Sequence, residues 1–223
     1  MHLIIAGRGA LAQAIVTACQ DLSISYALFD ATATPVPESV AVHCSKTGTI
    51  LPDVLRFCEE RSIPLIQAST GMQLPGKVNT VVVDAPNLAL PIVRLFGWVK
   101  GMHQGFESIG GFQEADVAES HQESKTSVPG TASTFADAVG VKKEKIRSIR
   151  APALQQQLGV STEHLNRHGY HWITWRFPDL EVEVRTRVHG LRPYALGAIH
   201  VARNLLATPN AFEKRVYSVI AVS

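Results

Sequence analysis

Charge of one sign is what this chain has least of: over 223 residues, 21 Lys and Arg stand against 19 Asp and Glu, a net charge of +2. A balance that small gives no general attraction to nucleic acid, so any affinity for anions has to be local. Cysteine is scarce as well. Cys19, Cys44 and Cys58 each sit in an apolar stretch without metal-ligand spacing, so they read as buried thiols of a reducing cytoplasm, and no metal site is expected. No apolar run approaches the length that crosses a bilayer, and Met1 leads straight into a strand pattern without the basic region, apolar segment and cleavage site of a leader. The expectation is an untargeted cytoplasmic protein with no membrane and no nucleic-acid partner. With 46% hydrophobic residues, the chain has material for one good core or for two lobes.

The first lobe opens on a short apolar run, His2 to Ala6, followed by Gly7-Arg8-Gly9-Ala10-Leu11-Ala12 and a helical pattern carrying Ala14, Ile15 and Ala18. Strand, Gly-x-Gly turn and helix in that order make the dinucleotide fingerprint credible. Gly7 makes the tight turn, Gly9 lets the backbone approach a pyrophosphate, and Ala12 stands where a third small residue packs helix on strand. A second strand pattern, Ile24 to Phe29, ends in Asp30, near the distance at which an acid takes the ribose hydroxyls. No Arg or Lys follows before Lys46, so NADH is expected over NADPH, because a carboxylate repels a 2′-phosphate.

Residues 31–39 are too few for a crossover helix, yet Val40 to Cys44 reads as the next strand, so one helix of the usual alternation is missing. Pro52 to Ser62 is a helix with Val54, Leu55 and Cys58 on one face. Apolar runs at Pro64 to Ile66 and Thr80 to Val83 end in Ala68-Ser69-Thr70-Gly71 and Asp84-Ala85-Pro86-Asn87. Loops at the carboxyl ends of such strands line a ligand crevice, and Ser45, Ser69, Thr70, Gly71, Ala85, Pro86 and Asn87 are candidates to touch the cofactor with Gly7, Arg8, Gly9, Ala10, Leu11 and Asp30. The pattern predicts an α/β fold, a doubly wound parallel sheet of Rossmann type.

The second lobe is strand-rich. Leu88 to Met102 reads as a helix; strand patterns follow at Phe112 to Glu119, Lys145 to Ile149, Tyr170 to Phe177 and Leu180 to Val188, the last two joined at Pro178-Asp179. An α+β domain with a mixed or open sheet is expected over 89–195, with 1–88 and 196–223 forming the dinucleotide-binding domain. Lys142, Lys143, Lys145, Arg147 and Arg150 read as a solvated basic face. His171 reads as a core or surface histidine, and Trp172 and Trp175, three apart in a strand, as packing residues on opposite faces.

Between the strand and helix patterns lies Glu119-Ser120-His121-Gln122-Glu123-Ser124-Lys125-Thr126-Ser127-Val128-Pro129-Gly130-Thr131-Ala132. An imidazole and an ammonium four residues apart precede a helix start whose N–H groups favour an anion. The bland reading is a polar loop with Thr131 as an ordinary N-cap.

Glu119, His121, Lys125, Pro129, Gly130, Thr131 and Ala132 match the signature Glu-x-His-His-x-x-Lys-x-Asp-x-Pro-Ser-Gly-Thr-Ala of the 4-hydroxy-tetrahydrodipicolinate reductase (dihydrodipicolinate reductase) family. The chain resembles that family in order from end to end: the Gly-x-Gly start, Ser69-Thr70-Gly71, Ala85-Pro86-Asn87-Leu88 and Ala195-Leu196-Gly197-Ala198 all fall where the family has its own motifs. The resemblance implies reduction of a cyclic imine or enamine dicarboxylate by a reduced nicotinamide in diaminopimelate and lysine biosynthesis. It implies Lys125 as general acid assisted by His121, and Gln122, Gly130 and Thr131 as ligands of a small dicarboxylate. It also implies a homotetramer built by the second lobe. The family's second His is Gln122 here, its Asp is Ser127, and the Ser before Gly-Thr is absent. These departures leave open a reductase of the same architecture with another imine or carboxylate substrate, and a dinucleotide-binding sensor without catalysis.

Overall fold

In the computed structural model, which describes residues 1–45, 49–126 and 129–223, the N-terminal apolar run forms β1 (His2–Ala6), followed by α1 (Ala10–Asp21) and β2 (Ser25–Leu28). Next come β3 (Ser39–His43), α2 (Leu51–Arg61), β4 (Leu65–Gln67), β5 (Val82–Asp84) and α3 (Leu90–Glu107). The chain continues through β6 (Glu114–His121), α4 (Gly130–Ala138), β7 (Arg147–Ile149), α5 (Pro152–Gln157), β8 (His168–Phe177) and β9 (Leu180–His189). It ends with α6 (Arg192–Ala207), β10 (Val216–Ser218) and α7 (Val219–Val222). Two units result: Met1–Val93 with Leu191–Ser223, and Arg94–Gly190.

The first unit is built on a six-stranded, all-parallel sheet in the order β10-β5-β4-β3-β1-β2. Side chains alternate across each strand, so Leu3, Ile5, Val40, Val42, Ile66 and Val83 enter a core shared with α1, α6 and α7. Ile4, Ala6, Ala41, Leu65 and Val82 enter the opposite core, with Val54, Leu55, Phe57 and Cys58 of α2. Helices on both faces make this the doubly wound, Rossmann-type fold. Residues 29–38 join β2 to β3 without a helix, so the chain passes from one side of β1 to the other and the alternation loses that helix. The last strand, β10, pairs in parallel with β5, which returns the C-terminal segment to this sheet.

Local chemistry sets the helix ends. Pro52 lies in the first turn of α2, with Asp53 beside it and Arg61 in the last turn, each complementing the dipole, and Ser62 closes the helix in a left-handed conformation with φ 53°.

The second unit holds a mixed four-stranded sheet, order β7-β6-β8-β9, in which β6, β8 and β9 are antiparallel and β7 runs parallel to β6. Asp179, with φ 57°, turns the chain between β8 and β9. Trp172 packs with Ala118, Ile149 and Tyr170, whereas Trp175 meets Phe106 edge-on and donates its indole N–H to His103 Nδ1 at 3.3 Å. The two indoles occupy opposite faces, as their odd spacing requires. The strand expected from Lys145 begins only at Arg147, because Lys143–Lys145 is a single 3-10 turn.

Candidate functional site

In the first unit, the turn after β1 is shaped by a close approach. Gly7 has φ 158°, and a Cβ there would stand 2.8 Å from the Cys44 carbonyl oxygen, so no larger residue fits without moving backbone. Gly9 is the N-cap of α1, with no side-chain cap, and Ala10 and Leu11 form the first turn. Beside them lies a cavity of about 370 Å³ lined by Ile5, Gly7, Arg8, Leu28, Phe29, Ser45, Thr49 and Ile50. Asp30 is exposed just beyond β2, and its Oδ1 accepts from the Thr32 N–H at 2.8 Å and the Thr32 hydroxyl at 2.7 Å. Those bonds hold its carboxyl below the usual range.

The loops after β3 and β4 are tied together from beneath. Ser69 donates its hydroxyl to the Ser45 carbonyl at 2.8 Å, and Gln67 Nε2 donates to the Ser69 carbonyl at 2.9 Å. Gln67 Oε1 in turn lies 2.5 Å from Nδ1 of fully buried His43. Thr70 is exposed and Gly71 turns the chain at φ 73°. Ala85 is buried and Pro86 exposed, while Asn87 Oδ1 accepts from the Ala89 N–H at 2.9 Å ahead of α3. His43 and Gln67 carry no sequence signal beyond two polar residues at the ends of apolar strands.

In the second unit, His121 is the last residue of β6, and its Nδ1 lies 2.8 Å from Oε2 of Glu119, whose side chain is fully buried. Arg150 closes on the same carboxylate, NH2 to Oε1 at 2.6 Å and NH1 to Oε2 at 3.0 Å. Burial would raise the Glu119 carboxyl, but hydrogen bonds from His121, Arg150 and Ser148 override it and hold it at about 2. Arg150 is therefore no part of a solvated face. Only 20% of its side chain is exposed, because a buried carboxylate needs a cation.

Arg150 also donates from Nε to the Lys125 carbonyl at 3.0 Å, and the Lys125 N–H donates to the Gln122 carbonyl at 3.0 Å. One guanidinium thus spans the support of the imidazole and the backbone of the ammonium. Gln155, fully buried, donates to the carbonyls of His121 at 2.7 Å and Ile149 at 3.0 Å. Gln122 and Thr131 are half-buried and Gly130 is exposed at the first turn of α4. The N-cap of α4 is Pro129 and not Thr131, since the helix begins at Gly130. Ser127 and Lys46 lie outside the described residues.

Around His121 stand two further imidazoles. His168 is stacked at 6.4 Å and accepts or donates at 2.9 Å with the Ser120 hydroxyl. His171 lies edge-on at 5.6 Å, 2% exposed, with Nδ1 3.0 Å from the Thr186 hydroxyl. Burial first, then the charge of His121, pushes His171 down to about 3, against a smaller upward pull from Glu119. It is a core histidine. Among the described residues no group of three or more His, Cys, Asp or Glu side chains is placed to hold a metal.

No protein-family model matches the chain. It is similar to the probable 4-hydroxy-tetrahydrodipicolinate reductase 1, chloroplastic, of Oryza sativa subsp. japonica, with 25% identity over 218 residues, 91% of this chain and 63% of that protein. It is 28% identical over 175 residues to 4-hydroxy-tetrahydrodipicolinate reductase 1, chloroplastic, of Arabidopsis thaliana, 72% of this chain and 50% of that one. Identity to the 4-hydroxy-tetrahydrodipicolinate reductase of Exiguobacterium sp. is 25% over 190 residues, 78% and 74% of the two chains. The chain thus spans between half and three-quarters of the length of these relatives.

Among solved structures it is similar to a dipicolinate-bound dihydrodipicolinate reductase from Paenisporosarcina sp. TG-14. The TM-score is 0.66 at 15% identity, covering 98% of this chain and 97% of that chain. An engineered D-amino acid dehydrogenase bound to NADP+ gives a TM-score of 0.51 at 11% identity, covering 100% and 94%. At these identities the structures establish the shared fold, and the sequence likeness is that of a divergent relative.

Proposed function

We propose that this chain is a nicotinamide-dependent reductase of the 4-hydroxy-tetrahydrodipicolinate type, acting in diaminopimelate and lysine biosynthesis on a small cyclic dicarboxylate. The observation that carries the reading is the buried Glu119–Arg150 pair, which supports His121 through its carboxylate and Lys125 through its carbonyl. A surface loop has no need of such a base.

The nicotinamide cofactor supplies the hydride. Gly7, Arg8, Gly9, Ala10 and Leu11 fit a pyrophosphate at the start of α1, where Gly7 leaves the cradle a Cβ would fill. Asp30 fits the ribose hydroxyls, and Ser45, Ser69, Thr70, Gly71, Ala85, Pro86 and Asn87 supply the loops for the nicotinamide end. Hydride addition to an unsaturated carbon leaves a proton to be supplied, and Lys125 gives it, with His121 polarising the substrate. Gly130 and Thr131 bind one carboxylate through N–H groups and a hydroxyl, and Gln122 adds a neutral donor where a charged imidazole is the family's pattern. An anionic Asp30 favours NADH. A cytoplasmic homotetramer completes the reading, in keeping with three buried thiols. Among the described residues no helix is long and apolar enough to cross a membrane.

The test is a coupled assay with freshly generated hydroxy-tetrahydrodipicolinate, following oxidation of NADH and of NADPH, on the native protein and on Lys125→Ala. Turnover that disappears with Lys125 supports the reading. Cofactor binding without turnover on this substrate overturns it in favour of another substrate or a sensor, and a clear NADPH preference refutes the role given to Asp30.

A further inference from the structure

We propose that Glu119 and Arg150 are positioning residues that fix the tautomer of His121 and hold it in register with Lys125, an inference that rests on the reading of those two residues as the proton-handling pair. A neutral imidazole has one N–H and one lone pair, and the partner of one nitrogen decides the role of the other. Here Nδ1 meets a carboxylate oxygen at 2.8 Å, and a carboxylate held anionic by Arg150 can only accept. The proton must therefore sit on Nδ1. Nε2 is left as the nitrogen offered to substrate: a lone pair in the neutral ring, and an N–H donor once a proton is taken up, with the resulting charge balanced by Glu119 across the ring.

Arg150 makes the arrangement single-valued. Its three nitrogens donate to both Glu119 oxygens and to the Lys125 and Ile149 carbonyls, so the carboxylate cannot rotate without losing a bidentate contact. Gln155 fastens the other side by donating to the His121 carbonyl at 2.7 Å. The strand end that carries the imidazole and the turn that carries the ammonium are thus fixed to one cation, which is how an acid and its assistant keep their separation.

Glu119→Gln tests this sharply. Both carboxylate oxygens face Arg150, so the amide keeps its oxygen at the shorter contact, 2.6 Å to NH2 against 3.0 Å to NH1, and turns its NH2 group to the longer one. Its NH2 then faces Nδ1 and donates to it, which moves the ring proton to Nε2. Histidine-labelled protein is examined by 15N-1H correlation at about pH 9, above the ordinary histidine range. The expected result is a His121 signature of protonated Nδ1 in the native protein and of protonated Nε2 in Glu119→Gln, with kcat falling about 100-fold and KM changing less than threefold. Arg150→Lys keeps the charge but loses the fork, and is expected to broaden or split the His121 signals and lower kcat about tenfold.

A native spectrum with the proton on Nε2 overturns the proposal without any variant, and so does a His121 that keeps its proton on Nδ1 in a folded Glu119→Leu, Arg150→Leu double variant, where no carboxylate remains to hold it there. The spectra require no turnover. Failure of the native protein to reduce hydroxy-tetrahydrodipicolinate therefore counts against the proposed function, while the tautomer result decides the positioning role on its own.

Discussion

His121 lies on Gly169, its partner across β6 and β8: a Cβ added at 169 would stand 3.1 Å from Nε2 and 3.6 Å from Cε1 of the imidazole. The ring can fold over the neighbouring strand only because that strand presents no side chain there. Gly169→Ala is expected to displace the imidazole by a few tenths of an ångström, lowering kcat/KM by about fivefold while the thermal midpoint by circular dichroism stays within a few degrees. Unaltered kinetics in a folded variant would show that the seat of the ring does not matter.

Removing one partner of the buried ion pair leaves the other uncompensated. Arg150→Leu should cost about 3–5 kcal/mol in urea denaturation, whereas Glu119→Leu with Arg150→Leu should recover most of that loss, since an apolar pair of similar volume avoids the desolvation of both charges. A double variant no more stable than Arg150→Leu alone would contradict the assignment.

Acid should destabilise the protein in two stages. His171 is held at about 3 against an ordinary 6.5, so the unfolded chain takes up a proton that the folded one refuses; this contribution is full above about pH 6.5 and is lost as the pH falls toward 3. Glu119, at about 2 against 4.5, contributes above about pH 4.5, and that part is lost as the pH falls toward 2. Urea midpoints between pH 7 and 3 should decline throughout. His171→Gln, which keeps a partner for Thr186, should flatten the curve between about pH 6.5 and 4.5, and a native curve already flat there would exclude this origin.

The thiols should be inert while the chain is folded. Cys19, Cys44 and Cys58 are all buried, and burial pushes the last two up to about 12. With so little thiolate, reaction with Ellman's reagent should be slow in buffer and reach three thiols per chain only in denaturant. Rapid labelling of the native protein would refute the buried placement.

Asp30, Gly7 and the apolar runs that follow them show how far local pattern reaches. Alternation of apolar residues, glycine punctuation and strand length are properties of a few consecutive residues, and they carried the doubly wound sheet, the missing helix before β3 and the end of β6 at the candidate site. Motif order carried the likeness to the reductases, because His121, Lys125 and Gly130-Thr131 are close in the chain. Arg150 was illegible for the opposite reason: among lysines and arginines on a short polar run it has the look of a solvated charge. Only the parallel pairing of β7 with β6 brings it to a glutamate 31 positions away. Gln155 and Gly169 are likewise unremarkable until strand register sets them against the carbonyl and the ring of His121. The sequence by itself determined which residue types lie at the strand end. Tertiary structure alone decided which of them are buried together, and burial is what turns a carboxylate, a guanidinium and an imidazole into one arrangement, since neither the two charges nor the ring N–H can be left without a partner once water is gone.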